Sequence, residues 1–379
     1  MPKKISLKTK GSVGVSRNQQ TEKSTPKPQN KAITPAQKKL LDELSKKFGE
    51  NVVLLGVPEK RIVIQRIRTG SLSLDIDLGG GIPCGRYTEI AGPLSSTKTT
   101  TSLHILRNAQ RMGKVCVLVD AEGTTDPEYL ERLGIDPNML YYSRPDSLEE
   151  AAQLLLDLQK SGLVQVGLLD SIAALGANKE NESEMQDTTQ LGVTQKLWGE
   201  FFRKYQMNNN RLERMGNEAF TLIGLNQLRE KIGVMHGDPE YSPGGRAKGF
   251  TASVELRFRT GDWIYEGKGQ DKKPVGQVVK YKITKNKTYA RMRSGEFDFY
   301  FEENEAGVPK SYVDNQKEIV VLGYKYNVIE RSGGWFKYNG EKYQGLDSII
   351  SALKEQPHLL EEIREKIYKV AIVGNHYEA

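Results

Sequence analysis

Ten residues, Ala91-Gly92-Pro93-Leu94-Ser95-Ser96-Thr97-Lys98-Thr99-Thr100, carry the sharpest chemical signal in this chain. They follow a strand-like run from Arg86 to Ala91 and open a helix-like run from Thr99 to Gln110. A loop between strand and helix that closes on Lys and Thr is the pattern of a P-loop. Backbone N–H groups of such a loop, with the helix N-terminus behind them, cradle phosphates. Gly92, Pro93, Ser95, Ser96, Thr97 and Thr100 would form the cradle, Lys98 would reach the β- and γ-phosphates, and the Thr99 hydroxyl would hold Mg²⁺. One residue breaks the pattern: Thr97 stands where a Gly normally precedes the Lys. A polar turn ahead of any helix has a similar composition, so the surroundings must decide.

Two apolar runs ending in acids supply those surroundings. They are Val115-Cys116-Val117-Leu118-Val119-Asp120-Ala121-Glu122 and Val166-Gly167-Leu168-Leu169-Asp170-Ser171. Short apolar runs between helical segments are expected to be buried parallel strands. An Asp at the C-terminal end of such a strand lies beside a P-loop and enters the Mg²⁺ shell. Asp170 is therefore the second metal candidate, acting through water. Alone, it would serve as well to cap a helix starting at Ser171.

The elements that must position these residues are legible as patterns. Thr34-Pro35 should start a helix whose apolar stripe is Leu40, Leu41, Leu44 and Phe48, with Gly49 as its stop. Strands are expected near 86–91, 115–120, 165–170 and 220–226, separated by helices such as Ser147 to Lys160. This alternation predicts an α/β fold, a mostly parallel sheet with helices on both faces. Runs 251–259, 277–285 and 295–302 read as further strands of more alternating character. The predicted division is a basic tail at 1–33, an N-terminal helical segment at 34–59, a core at 60–308 and a small αβ domain at 309–379. In the last, 319–328 and 334–338 read as strands, and Leu346 to Lys354 and Leu359 to Val370 as helices.

Composition excludes several classes. A chain of 379 residues, 37% hydrophobic and 27% charged, is an ordinary soluble globular protein with one large core and one or two small domains. No apolar run approaches the roughly 18 residues of a membrane span, and the basic N-terminus lacks the apolar segment of a secretory signal. Cys84 and Cys116 are expected to be reduced thiols in a cytoplasm. No Cys/His cluster has zinc spacing. The net charge of +7 is concentrated in residues 1–33, which hold eight Lys or Arg against Glu22. That segment reads as disordered, and as either a nucleic-acid-binding arm or a solubilising tail.

Further blocks narrow the class. They are Thr69-Gly70-Ser71-Leu72-Ser73-Leu74-Asp75, Asp120-Ala121-Glu122, Leu169-Asp170-Ser171, Asn226-Gln227, Lys231-Ile232-Gly233-Val234-Met235, Ser253-Val254 and Lys285-Asn286-Lys287. With the phosphate loop, they make the chain resemble the bacterial RecA-type recombinases, cellular or phage-encoded, over roughly residues 35–370. The resemblance implies a RecA-like P-loop ATPase core with an N-terminal helix and a small C-terminal αβ domain. It implies ATP and Mg²⁺ as cofactors, a homo-oligomeric helical filament on single-stranded DNA, pairing with double-stranded DNA, and strand exchange with ATP hydrolysis. No membrane partner is implied.

The resemblance also assigns roles. Glu122 would orient or activate the attacking water. Asp126 and Tyr129 would contact adenine, and Gln227 would sense the γ-phosphate and report its loss to the following loop. That loop, read from Leu228 to Lys248, would be the second DNA-binding loop. It carries Arg229, Lys231, Gly244, Gly245, Arg246 and Lys248, and Ile232 would wedge between base triplets. The first DNA loop would fall at about 180–191, with Lys196 and Arg203 on the helix after it. Lys285 and Lys287 alternate on a predicted strand and so face one side; in the family they reach the ATP of the adjacent subunit, and Phe250 carries the coupling. The N-terminal helix would pack on the neighbouring subunit.

Departures from the pattern carry expectations of their own. The Thr97 Cβ should crowd the phosphate or strain the backbone, giving slow hydrolysis. His236 replaces a usual Phe, and Arg246 a usual Asn, adding a cation to the DNA loop. The chain stops at Ala379 without the acidic tail of many relatives, so weaker restraint of DNA binding is expected. Two rivals remain: a ring-forming helicase or clock-type ATPase with the same core, and, from another class, a non-hydrolysing DNA-binding or accessory protein with a crippled P-loop.

Overall fold

The computed structural model describes residues 34–48, 64–178, 192–230, 240–305 and 307–373. The basic tail, Gly49, the first DNA loop, Lys231, Ile232 and His236 lie outside them. Helix α1 (Pro35–Phe48) stands as a unit by itself. Its start is a capping box: the Gln37 N–H donates to Thr34 Oγ1 at 3.3 Å, and the Thr34 N–H donates to Gln37 Oε1 at 2.9 Å.

The second unit is built on a sheet whose phosphate-loop half is wound from parallel crossovers. A short pair, β1 (Arg66–Ile67) and β2 (Ile82–Pro83), flanks α2 (Leu72–Leu78). Then come β3 (Tyr87–Gly92), α3 (Lys98–Arg111), β4 (Cys116–Asp120), α4 (Pro127–Arg132), β5 (Leu140–Ser143), α5 (Leu148–Ser161) and β6 (Val166–Asp170). Helix α6 (Val193–Arg214) leads into β7 (Thr221–Gln227). A small ribbon of β8 (Arg229–Glu230) and β9 (Glu240–Tyr241) precedes α7 (Gly245–Thr251). The long strands β10 (Val254–Glu266), β11 (Lys273–Asn286) and β12 (Ser294–Tyr300), with β13 (Tyr312–Val313), complete the sheet. Its described order is β13-β12-β11-β10-β3-β7-β6-β4-β5. Strands β10 to β5 in that order are parallel, and β11 to β13 extend the sheet antiparallel.

The apolar runs form strands because both of their faces are covered. In β4, Leu118 joins the cluster under α3 with Leu103, Leu106 and Ile90. Its neighbours Val117 and Val119 join the opposite cluster with Trp198, Phe201 and Phe202 of α6. Alternating side chains of one strand thus serve two layers, which is why these runs show no polar alternation.

The C-terminal part has its own apolar cluster, Ile319, Val320, Phe336, Ile349, Leu353, Ile363 and Ile367, to which α2 adds Leu72 and Ile76. It consists of α8 (Asn315–Lys325), β14 (Glu330–Ser332), β15 (Trp335–Tyr338), β16 (Glu341–Gln344), α9 (Leu346–Glu355) and α10 (Pro357–Tyr368). The strand expected at 319–328 is wrong: most of that run is helix α8. Its β-branched residues suggested a strand. The Asp314 carboxylate caps Lys317 N at 3.0 Å, and Ile319, Val320 and Leu322 are buried while Val321 and Tyr324 are exposed. Capping and a one-sided apolar face outweigh weak local propensity. Glu318 is buried beside α2, where it accepts bonds from Ser71 Oγ at 2.7 Å and Leu72 N at 2.8 Å.

Candidate nucleotide site and DNA-facing surface

Strands β3, β4, β6 and β7 end together, and their C-terminal ends carry the polar residues. Gly92 closes β3 because nothing larger fits: a Cβ there would lie 2.7 Å from both the Phe258 carbonyl and Ser96 Oγ. The loop turns through two left-handed residues, Ser95 (φ 57°) and Thr97 (φ 62°, ψ 14°). Positive φ is uncommon for any side chain and strained for a β-branched one. The missing Gly noted in the sequence is therefore a real conformational cost. Lys98 Nζ folds back to the Pro93 carbonyl at 2.6 Å. Burial lowers its pKa, opposed by the carboxylates of Asp170 and Glu122.

Thr99 and Asp170 meet across the α3–β6 boundary, with Thr99 Oγ1 donating to Asp170 Oδ2 at 2.7 Å. Burial pushes the Asp170 carboxyl up to about 6; Glu122 and Asp120 push the same way, against the Thr99 bond and Lys98. Glu122 is exposed, and its Oε1 accepts the Ser171 hydroxyl at 2.9 Å. Asp120 spends its oxygens on the turn that follows it. Burial disfavours its charge, yet bonds from Thr125 N (2.9 Å), Tyr142 OH (2.9 Å) and Gly123 N (2.8 Å) hold its pKa below the usual carboxylate range. It fixes the turn that carries Glu122.

The expected adenine contacts lie at the start of α4, against the first turn of α3. Tyr129 OH is 2.7 Å from Thr100 Oγ1, and the Arg132 guanidinium lies 5.5 Å from the Tyr129 ring centre. Asp126 caps α4 by accepting the Glu128 N–H at 3.0 Å. On β7, the register pairs Gln227 with Gly92, the first residue of the loop.

Behind Gln227 lies a buried polar relay that sequence reasoning missed. Asn226 Oδ1 accepts the Gln227 N–H at 3.0 Å, while Asn226 Nδ2 donates to Glu89 Oε1 and to the Pro243 carbonyl, each at 2.8 Å. Glu89 in turn accepts Lys248 Nζ at 2.7 and 2.8 Å. This corrects the reading of Lys248 as a loop cation. The irregular segment stops at Gly244, residues 245–251 are helix, and Lys248 and Glu89 are 5% and 4% exposed. A lysine engaged in a buried pair is not available to a phosphate. The signal was beyond reach because 159 residues separate the partners.

The same helix gathers the other DNA candidates. Gly244 (φ 100°) and Gly245 (φ 76°) take the left-handed turn into α7, and a Cβ on Gly245 would lie 3.6 Å from Gln195 of α6. Lys196 and Arg203 on α6, Arg246 on α7 and Arg229 on β8 are all exposed. At the other end of α7, Lys285 Nζ reaches the Gly249 carbonyl and lies 3.8 Å from Glu255 Oε1, and Lys287 Nζ reaches the Phe250 carbonyl at 2.8 Å. Both lysines thus converge on one helix end, where cations complement the free carbonyls. Phe250 between them is 77% exposed.

A parallel sheet with a Lys-Thr phosphate loop leaving β3 is the build of a P-loop ATPase. Residues 35–306 match the RecA N-terminal domain and residues 317–371 the RecA C-terminal domain. The chain is 37% identical over 340 residues to Protein RecA of Wigglesworthia glossinidia brevipalpis, covering 89% of this chain and 97% of that one. The chain belongs to the RecA family, and it is a DNA recombinase of repair and recombination and a DNA-dependent ATPase. Among the described residues, no helix is long and apolar enough to cross a membrane.

Proposed function

We propose that this chain binds ATP with Mg²⁺ at the ends of β3, β4 and β6, assembles as a helical filament on single-stranded DNA, and pairs it with a duplex in the cytoplasm. The division proposed is a basic tail at 1–33, an oligomerisation segment at 34–59, an ATPase core at 60–308 and an αβ domain at 309–379. The observation that carries the reading is the convergence of Lys98, Thr99, Asp170 and Glu122 from three elements into one cluster. A hydroxyl and a carboxylate 2.7 Å apart are hard oxygen donors suited to Mg²⁺. When bound, that ion would neutralise charge on the phosphates.

The chain's own groups would do the rest. Lys98 would exchange the Pro93 carbonyl for phosphate oxygens, and the loop N–H groups with the α3 N-terminus would hold them. Glu122 would orient and deprotonate the attacking water, with Ser171 keeping its carboxylate in place. Gln227 would bond the terminal phosphate. Through Asn226, Glu89 and Lys248, its position is tied to α7, and so to Arg246, Phe250 and the Lys285–Lys287 pair that would meet the neighbouring subunit's nucleotide. Lys196, Arg203, Arg229, Lys231, Ile232, Gly244 and Gly245 would complete the DNA-facing surface. The test is ATP turnover with and without single-stranded DNA, alongside electron micrographs. DNA-stimulated turnover with helical filaments supports the reading; closed rings, or no turnover, reject it.

A further inference from the structure

The far half of α3 faces a cavity, remote along the helix from the phosphate loop. The cavity measures about 650 Å³, within the usual range for small-molecule sites. Segment 66–72, α3, β13 and α10 wall it, and Arg66, Arg68, Arg107, Arg111 and Arg364 line it. Their neutralisation is unequal. Arg68 pairs with Glu365 at 2.6 Å, and Arg364 chelates Glu361. Arg66 bonds only neutral groups: the Leu78 carbonyl at 2.9 Å, Gly81 at 3.2 Å and Thr288 at 3.0 Å. Arg107 bonds the Tyr312 hydroxyl at 3.0 Å and the Leu133 carbonyl at 3.4 Å. Arg111, one turn further on the same face of α3, is exposed and has no ion-pair partner among the described residues.

The acids of the wall do not balance this. Asp75 is buried and spends its oxygens on Thr69 N and Thr69 Oγ1, each at 2.7 Å, and on Tyr368 OH at 3.0 Å. Burial pushes its carboxyl up to about 7. His104, one turn before Arg107, also lines the cavity. It is 3% exposed, its Nε2 is engaged with the Ser311 carbonyl at 2.7 Å, and its Nδ1 is buried without a partner. A buried polar atom left unpaired is costly. A polyvalent anion would complete the arginines.

We propose that this cavity is a binding site for a small polyphosphate, gripped by Arg107 and Arg111 of the ATPase core against the wall that α10 of the C-terminal part supplies. The probe is inorganic tripolyphosphate, titrated calorimetrically into full-length protein carrying Lys98→Ala to weaken the phosphate loop. One residual site is expected. Adding Arg111→Gln should weaken it about tenfold, the scale of one lost charged hydrogen bond. Arg111 is exposed, so this variant tests binding without threatening the fold; Arg107→Gln should weaken it further. Tripolyphosphate should also raise the melting temperature of the Lys98→Ala protein but not of the Lys98→Ala/Arg107→Gln/Arg111→Gln protein. No residual binding, or binding that both arginine variants leave unchanged, as capture by the basic tail would be, overturns the proposal.

Discussion

Two lysines near the central strand β3, Lys98 and Lys248, occupy opposite kinds of environment. Lys98 rests on a backbone carbonyl in a loop that turns through Ser95 and Thr97 at positive φ. Lys248 lies in a fully bonded buried pair with Glu89, itself held by Asn226. The first region is strained and incompletely paired in charge, so a ligand's phosphates can supply what is missing. The second has nothing left to offer a ligand and serves as a fixed connection between Gln227 and α7. The candidate site and the frame behind it thus differ in how fully their polar groups are satisfied.

The largest expected effect breaks the frame. Lys248→Met leaves Glu89 buried and unpaired, which should cost about 3–5 kcal/mol of stability by denaturant titration. The double variant Lys248→Met/Glu89→Leu should recover most of it. A single-variant loss under about 1 kcal/mol would mean that water reaches the pair. Next comes the site. Glu122→Gln should keep the fold and nucleotide binding but lower ATP turnover about 100-fold, the usual scale for a positioned base. Turnover equal to the parent would remove Glu122 from the chemistry.

Thr97→Gly sharpens the comparison by relieving strain in the loop alone. Stability should rise by about 1 kcal/mol, the order of the left-handed penalty, with turnover equal to or above the parent. Loss of ATP affinity would show a loop built around the Thr hydroxyl. The smallest effect lies at the far end of α3. Burial, with Arg107 beside it, lowers the His104 pKa to about 4 from 6.5. The unfolded state therefore binds the extra proton between those values, and stability falls as pH falls through that window. Moving from pH 7.5 to 5.5 should cost about 1 kcal/mol at this residue, a loss that thermal melts of His104→Gln should not show.

Much of the nucleotide half was readable from the chain because its physics is local. A P-loop needs adjacent residues, and strands buried on both faces appear as unbroken apolar runs such as Val117-Leu118-Val119. The run at 319–328 misled because β-branched residues favour strand only weakly, and its helix depends on a cap at Asp314 and on partners in α9 and α10. Lys248 misled for a different reason. A lysine in a Gly-rich segment looks like a phosphate ligand until its acid, Glu89, is brought to it.

The sequence alone determined the family blocks, the phosphate loop with its odd Thr97, and the α/β alternation, since each depends on residue type and short spacing. Only the tertiary structure decided that Thr97 adopts the left-handed conformation, that Glu89, Asn226 and Lys248 form one relay, and that Arg107, Arg111 and Arg364 share a cavity. Those facts depend on which distant segments meet and on how completely each charge is paired there. Both are set by packing, which no local pattern encodes.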